Sequence, residues 1–254
     1  MSITQPDLAS LKLITQTLPF LHLSPTGALF FPLPAPHSHV ILSGPDPADG
    51  AEIVQAFNDP LIYRWTISPP FPYLLAHAED MLRRNVHTYE ESVSRMSELV
   101  QKWEGMKLAA TPLRFIREVQ RDGSWKFIGD VGLVRCSFSE VFPLEERDRL
   151  VRENNAREAG DEGIVWMIGD YLISSHHGRG IMTAAIRTLL QTWARPLMSC
   201  RTVRAYVLTG NEGSKRVFEK LGFELKETME GGVPMQGKRE EVVGMWVMEW
   251  RYGS

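Results

Sequence analysis

Apolar positions recur along this chain with two different periods, and the changes between them mark out its elements. Over 73–104, Leu74, Leu75, Ala78, Met81 and Leu82 fall three and four apart, the repeat of a helix with one buried stripe. A shorter amphipathic helix is expected at Ala51 to Phe57, between the turn-forming PDPADG of 45–50 and Asn58-Asp59-Pro60. SPPFP at 68–72 predicts a rigid loop, because proline fixes φ and restricts the residue before it. From Leu113 the period shortens. LRFIREV and WKFIGDVGLVRCSF are β-rich and are split by Arg121-Asp122-Gly123-Ser124, a hairpin-turn composition.

The stretch 163–223 then alternates strand and helix. GIVWMIGDYLI predicts a buried strand, SSHHGRG a polar loop, and IMTAAIRTLLQTWAR a helix with an apolar face that Pro196 should stop. TVRAYVL follows as a strand. NEGSKRVFEKLG predicts a capped helix, in which Asn211 can accept from first-turn amides and Gly222 suits the position past the end. Two further strands, around FELKETM and VVGMWVMEW, are joined by GGVPMQGKR, a flexible composition.

Two stretches lack a period. The first ~40 residues, with the Pro- and His-rich PLPAPHSH at 32–39, suggest an N-terminal extension over 1–37 entering a first strand near Val40–Leu42. Residues 139–162 mix charges of both signs without an apolar stripe, which fits a solvated loop containing a helical turn or, alternatively, a lid over a ligand site. No repeat or linker divides the rest, so a single domain is expected over 38–252, with a charged insertion at about 139–162.

Composition narrows the function classes. The 254 residues are 43% hydrophobic, enough for a substantial core. A net charge of −3 and a pI near 6.2 offer no field for nucleic acid or an acidic membrane surface. Cys136 and Cys200 form no ligand or disulfide framework, which suits a reducing compartment. No apolar run approaches the ~20 residues of a membrane span, and MSITQPDLAS lacks the pattern of a signal peptide. The expectation is a cytoplasmic protein, with a nuclear share left open. His37, His39, His77 and His87 lack i,i+4 pairing among themselves, so no metal is expected.

The chemistry concentrates in the strand–loop–helix from Gly169 to Trp193. Gly178 and Gly180 allow unusual backbone angles and close approach by a ligand. Amides in such a loop, followed by a helix N-terminus, form an anion site, and Arg179 adds a cation. The suited ligand is a phosphate or pyrophosphate, although a plain tight turn explains the two glycines equally well. The third glycine of a dinucleotide-binding fingerprint and the GK[ST] of a P-loop are both missing.

GDYLISSHHGRGIMTAAIRTLL resembles motif A of the GNAT acetyltransferases, particularly the RimJ/RimL-type branch, where "GYWL-x-P-x-x-x-G-K-G-I-M-T-x-A" is usual. NEGSKRVFEKLGF, one strand later, resembles that branch's motif B, "N-x-x-S-x-x-V-x-x-K-x-G-F". FNDPLIYRWTISPPFPYLLAHAEDML resembles its N-terminal helix pair and FIGDVGL its third strand, so the resemblance covers roughly 38–252. It implies an α/β (α+β) GNAT fold: a central mixed, mostly antiparallel, splayed sheet flanked by helices. It also implies acetyl-CoA as the acetyl donor, with its pyrophosphate on the amides of His177, Gly178, Arg179, Gly180, Ile181 and Met182 and with Thr183 opening the helix. Tyr171 and Leu172 would pair through their backbone with the pantetheine arm and polarise the thioester carbonyl. Asn211 would bond the cofactor, cap its helix, or do both.

The chain departs from the family pattern at several positions. His177 stands where Gln or Arg is usual, and Ser174 where a proline precedes the loop. Phe218 occupies the place of the tyrosine that protonates the leaving thiolate in many members, which points to Ser214 as the substitute, with an ordinary helix residue as the other reading. One branch carries a glutamate base where Tyr206 stands. Asp170 and Glu241 are therefore the candidate bases, Asp170 doubling as a candidate salt-bridge partner. Trp65, Phe71 and Tyr73 suit either core packing or an acceptor pocket, and Lys238-Arg239 either a solvated turn or a contact with an acidic acceptor. The implied function is transfer of acetyl to a primary amine by direct attack in a ternary complex. The acceptor would be a protein N-terminus or a small amine, and the protein a monomer or homodimer. The competing reading is a non-catalytic module that senses acyl-CoA or scaffolds a partner.

Overall fold

The hairpin expected around Arg121–Ser124 seeds the sheet. In the computed structural model, which describes residues 7–102, 105, 107–233 and 243–253, β4 (Phe115–Val119) turns into β5 (Trp125–Arg135), with Val119 opposite Trp125. On one side β4 meets β3 (Val40–Ser43), β2 (Leu29–Pro32) and the short β1 (His22–Leu23). On the other side β5 meets β6 (Val165–Leu172), then β7 (Thr202–Leu208), β9 (Val243–Arg251) and β8 (Glu224–Val233). All neighbours run antiparallel except β6 and β7. The result is a mixed α/β fold: a nine-stranded, mostly antiparallel sheet flanked by helices.

The N-terminal stretch is more than an extension. Asp7 caps α1 (Leu8–Thr17), accepting from the amides of Ala9 and Ser10, and the helix buries Leu11 and Ile14. Phe31 of β2 stacks on Trp193 at 6.3 Å, and Phe20 meets both rings edge-on. Leu11, Ile14, Leu29 and Phe31 thus belong to the same apolar cluster as β6 and β7. Proline and histidine obscured a real two-residue alternation here, Leu29, Phe31 and Leu33, which the core reads as one face.

Helix α2 (Gly50–Asn58) is fixed at its start by a buried ion pair. Arg117 of β4 donates to both carboxylate oxygens of Asp49, at 2.7 and 2.6 Å, and to Ser43. Asn58 closes the other end, exchanging hydrogen bonds with the backbone of Tyr73 and so holding the proline loop that follows the single-turn α3 (Pro60–Tyr63). The long α4 (Leu75–Lys102) matches the helix predicted over 73–104, of which 103 and 104 lie outside the described residues.

Two expectations need correction. Pro196 does not stop its helix. After α6 (Ile181–Thr188) the chain widens into a π-helical segment, Leu189–Ala194, and continues through Pro196 in α7 (Arg195–Met198). Proline clashes with the i−4 carbonyl of an α-helix, and the wider turn moves that carbonyl away. The charged 139–162 segment is also more ordered than a loop. It forms α5 (Leu144–Ala156), whose exposed face carries Arg149 paired with Glu146 and Glu153. Asn154 supplies its anchorage: the buried amide both donates to and accepts from the backbone of Val165, as a neighbouring strand would. Among the described residues, no helix is long and apolar enough to cross a membrane.

Candidate active site

Strand β6 has unlike edges. Toward β5 it pairs over seven residues, from Gly129 opposite Leu172 to Arg135 opposite Trp166. Toward β7 the ladder holds only Val165, Trp166 and Met167, and beyond Met167 the two strands part. The Ile173 amide donates to Ile128, and antiparallel alternation then sends the backbone groups of Tyr171 to β5 and those of Asp170 and Leu172 into the opening. Tyr171 therefore does not offer its backbone to a ligand in the gap. Its ring lies on the opposite face of the sheet to Asp170, packed 4.5 Å from Phe57. Its hydroxyl is buried without a hydrogen-bond partner.

At the C-terminal end of β6 the chain makes a 3₁₀ turn over Ser174–His176, then passes Gly178 (φ +71°) and Gly180 (φ +80°) into α6. Both glycines occupy the left-handed region that a side chain disfavours, and no side chain caps α6. The first-turn amides of Ile181, Met182 and Thr183 therefore have no partner within their helix. Gly178, Arg179 and Gly180 are exposed, while Ile181 and Met182 turn into the core.

His177 is engaged otherwise than expected. Its Nε2 donates to the Leu172 carbonyl at 2.7 Å, which closes the loop back on the strand and leaves the Leu172 amide as that residue's free group toward the gap. Beneath the loop sits Glu118 of β4, with His176 at 3.6 Å, His39 at 3.8 Å and Arg179 at 3.9 Å. Burial pushes the Glu118 carboxyl up, but its hydrogen bond from Gln120 and the charges of His176 and Arg179 outweigh that and hold it below the ordinary range. Burial drives the His176 imidazole down against the pull of Glu118, and its Nε2 makes no hydrogen bond.

Asp170 shares a face with Trp166, Ile168 and Leu172 and so abuts the core under α6. It makes no ion pair among the described residues. Burial, followed by the charge of Asp130, raises its carboxyl to about 7, although the residue as a whole is partly exposed. Asp130 itself accepts two hydrogen bonds from Arg114, at 2.8 and 2.6 Å. Asn211 caps α8 (Glu212–Glu219), accepting from the Ser214 amide at 3.2 Å. Ser214 is half-buried on the first turn of that helix. Phe218 is 2% exposed against Phe223, so its ring belongs to the core. Glu241 and Lys238-Arg239 lie outside the described residues.

On the far face of the sheet, Trp65 and Ile67 of the proline loop pack against Leu208, Met245 and Tyr206. Tyr73 is buried beside Phe57, whereas Phe71 is exposed and stacks on Tyr63 at 4.4 Å. Tyr206, at the position of one branch's glutamate base, donates to a buried carboxylate, Glu140, at 2.6 Å. Glu140 also receives Arg204, which binds Glu249 in turn. Nothing in the sequence marks Glu140 or Glu118 for these places; each is one acid among many until the sheet register brings it in.

The sequence and the fold are matched by known proteins. Residues 39–224 fit the family described as "Acetyltransferase (GNAT) domain", and the chain belongs to that family. A 74-residue stretch is 36% identical to a probable N-acetyltransferase, YjcK, of Bacillus subtilis (strain 168), spanning 29% of this chain and 40% of that protein. Among solved structures, the fold is similar to RimL, a ribosomal L7/L12 alpha-N-protein acetyltransferase in complex with coenzyme A. That match has a TM-score of 0.54 and 14% identity, over 87% of this chain and 97% of that one. It is also similar to the microcin C7 self-immunity acetyltransferase MccE bound to acetyl-CoA and AMP, with a TM-score of 0.53 and 16% identity, over 85% and 93%.

Proposed function

We propose that the chain acetylates a primary amine by direct attack on acetyl-CoA in a ternary complex, and that it stands with the RimJ/RimL-type branch, with a protein N-terminus as the favoured acceptor. The observation that carries this reading is the parting of β6 from β7 beside the 177–182 loop, which leaves backbone donors of β6 directed into an opening. The pyrophosphate would lie on the amides from His177 to Met182, with Thr183 in the first turn of α6. The Asp170 and Leu172 amides would bond the arm and the thioester oxygen, which gains charge as the amine adds. Asn211 would serve from the other side of the gap while capping α8.

The acceptor reaches the site as an ammonium. Asp170 takes its proton, and a carboxyl near 7 is matched to that task. The freed amine adds to the thioester carbon, the C–S bond breaks, and the coenzyme thiolate leaves with a proton from Ser214, directly or through water, while the nitrogen gives up its second proton to restore the Ser214 hydroxyl and become the amide. Phe218, held in the core, takes no part. The RimL and MccE structures carry coenzyme A and acetyl-CoA by their descriptions, which supports the donor but not the acceptor. Free coenzyme A released from acetyl-CoA, measured with a panel of N-terminal peptides and small amines, tests the proposal. Turnover with peptides is expected. Binding of acetyl-CoA without turnover on any amine would instead favour a sensing or scaffold module, the reading to which the missing tyrosine lends weight.

A further inference from the structure

The turn joining β2 to β3 stands against the coenzyme loop. The His37 amide bonds the Pro34 carbonyl and the Val40 amide bonds that of His37, so the turn is closed at both ends. Its half-buried imidazole reaches across to α6: Nε2 lies 3.5 Å from where a side-chain carbon on Gly180 would begin. His39 stands behind it, with ring centroids 6.5 Å apart. Arg179 on the loop and Lys126, opposite Glu118 on the sheet, bring further positive charge, against the single carboxylate of Glu118. His37 precedes the family-matched region, which begins at residue 39.

We infer that His37 is a coenzyme-binding residue, a side-chain donor from the N-terminal sheet hairpin to the pyrophosphate held by the 177–182 loop. The inference rests on the proposed placement of acetyl-CoA. It explains how a loop whose own histidine is spent on Leu172 still presents an imidazole to the phosphates. A histidine whose Nε2 borders the left-handed glycine at the start of α6 is placed for the bridging diphosphate. Loss of one side-chain donor to a charged oxygen from a half-exposed site is expected to cost about tenfold in affinity.

The test is calorimetric titration of the full chain with coenzyme A, dephospho-coenzyme A and pantetheine. His37→Ala is expected to raise Kd about tenfold for the first two and to leave pantetheine unchanged, with Tm unaltered. His37→Gln, which keeps a neutral donor, is expected to recover part of the loss. A Kd for coenzyme A unchanged in His37→Ala, while Gly180→Val strongly weakens binding, would overturn the inference and leave the loop assignment standing. Undiminished binding in a folded Gly180→Val variant would remove the loop assignment itself. A loss confined to coenzyme A, with dephospho-coenzyme A unaffected, would move the contact to the 3′-phosphate and also overturn the placement.

Discussion

The two edges of β6 are built from one run of residues and behave as opposites. On the β5 side the strands approach so closely that a side-chain carbon at Gly129 would collide with the Tyr171 carbonyl oxygen and come within 3.0 Å of the Leu172 Cα. On the β7 side the ladder ends at Met167, and off the sheet face at Gly169 nothing lies within 4 Å of such a carbon. The closed edge spends its backbone groups on stability. The open edge keeps its own for a ligand, because strands that share only a three-residue parallel start can diverge. A sheet can thus create a site by withholding pairing, provided the neighbouring ladder is strong enough to hold the strand in place.

The comparison breaks most severely at the open edge. Asp170→Asn is expected to lower kcat/KM for the amine by about 10²–10⁴, the usual worth of a general base. In the wild type the carboxyl is protonated below about 7, so activity rises with pH through that value, and the rise should vanish in the variant. Stability runs the other way. The folded carboxyl holds its proton more tightly than an unfolded one near 3.9, so its contribution is full below that value and is lost as pH rises toward 7. Thermal unfolding of Asp170→Asn should therefore depend less on pH between those values. An activity rise that persists in the variant would assign the base elsewhere.

Gly180→Val comes next. A β-branched residue at φ +80° strains the loop and crowds the amides, and losing two amide–phosphate hydrogen bonds should raise the Kd of acetyl-CoA roughly a hundredfold. Gly129→Ala attacks the closed edge, where the collision is with backbone; about 1–3 kcal/mol of stability should be lost in denaturant titration, with little change in KM for either substrate. Ser214→Ala should lower kcat about tenfold at saturating acceptor with acetyl-CoA affinity intact, since a thiolate leaves easily. Smallest of all, Gly169→Ala should move stability by no more than about 0.5 kcal/mol, because the added methyl meets only open space. Equal destabilisation at Gly129 and Gly169 would show that the close approach of β5 to Tyr171 and Leu172 does not limit what Gly129 can carry.

Much of the fold and of the loop was legible in residue order. The period of α4, the Arg121–Ser124 turn, the Gly178/Gly180 pair and the Asn211 cap all depend on local chemistry, and local chemistry is written consecutively. Less legible were the elements whose reason lies far along the chain. Residues 7–33 look like a tail until Phe31 finds Trp193. The 139–162 segment looks like a loop until Asn154 finds Val165, and Pro196 ends a helix only if that helix keeps α-geometry.

The candidate site divides along the same line. The order of residues by itself determined that a glycine loop would feed a helix N-terminus, since two glycines followed by a helical period suffice for that. Only the tertiary structure decided which β6 amides face the gap, because this depends on the parity of pairing with β5, and a one-residue slip would exchange Tyr171 for Leu172. It alone turned the His177 ring onto the Leu172 carbonyl, set Glu118 beneath the loop and brought His37 beside Gly180. It also lifted the Asp170 carboxyl to about 7, since that shift comes from burial and from Asp130 on the neighbouring strand, and distance between strands is not written in either of them.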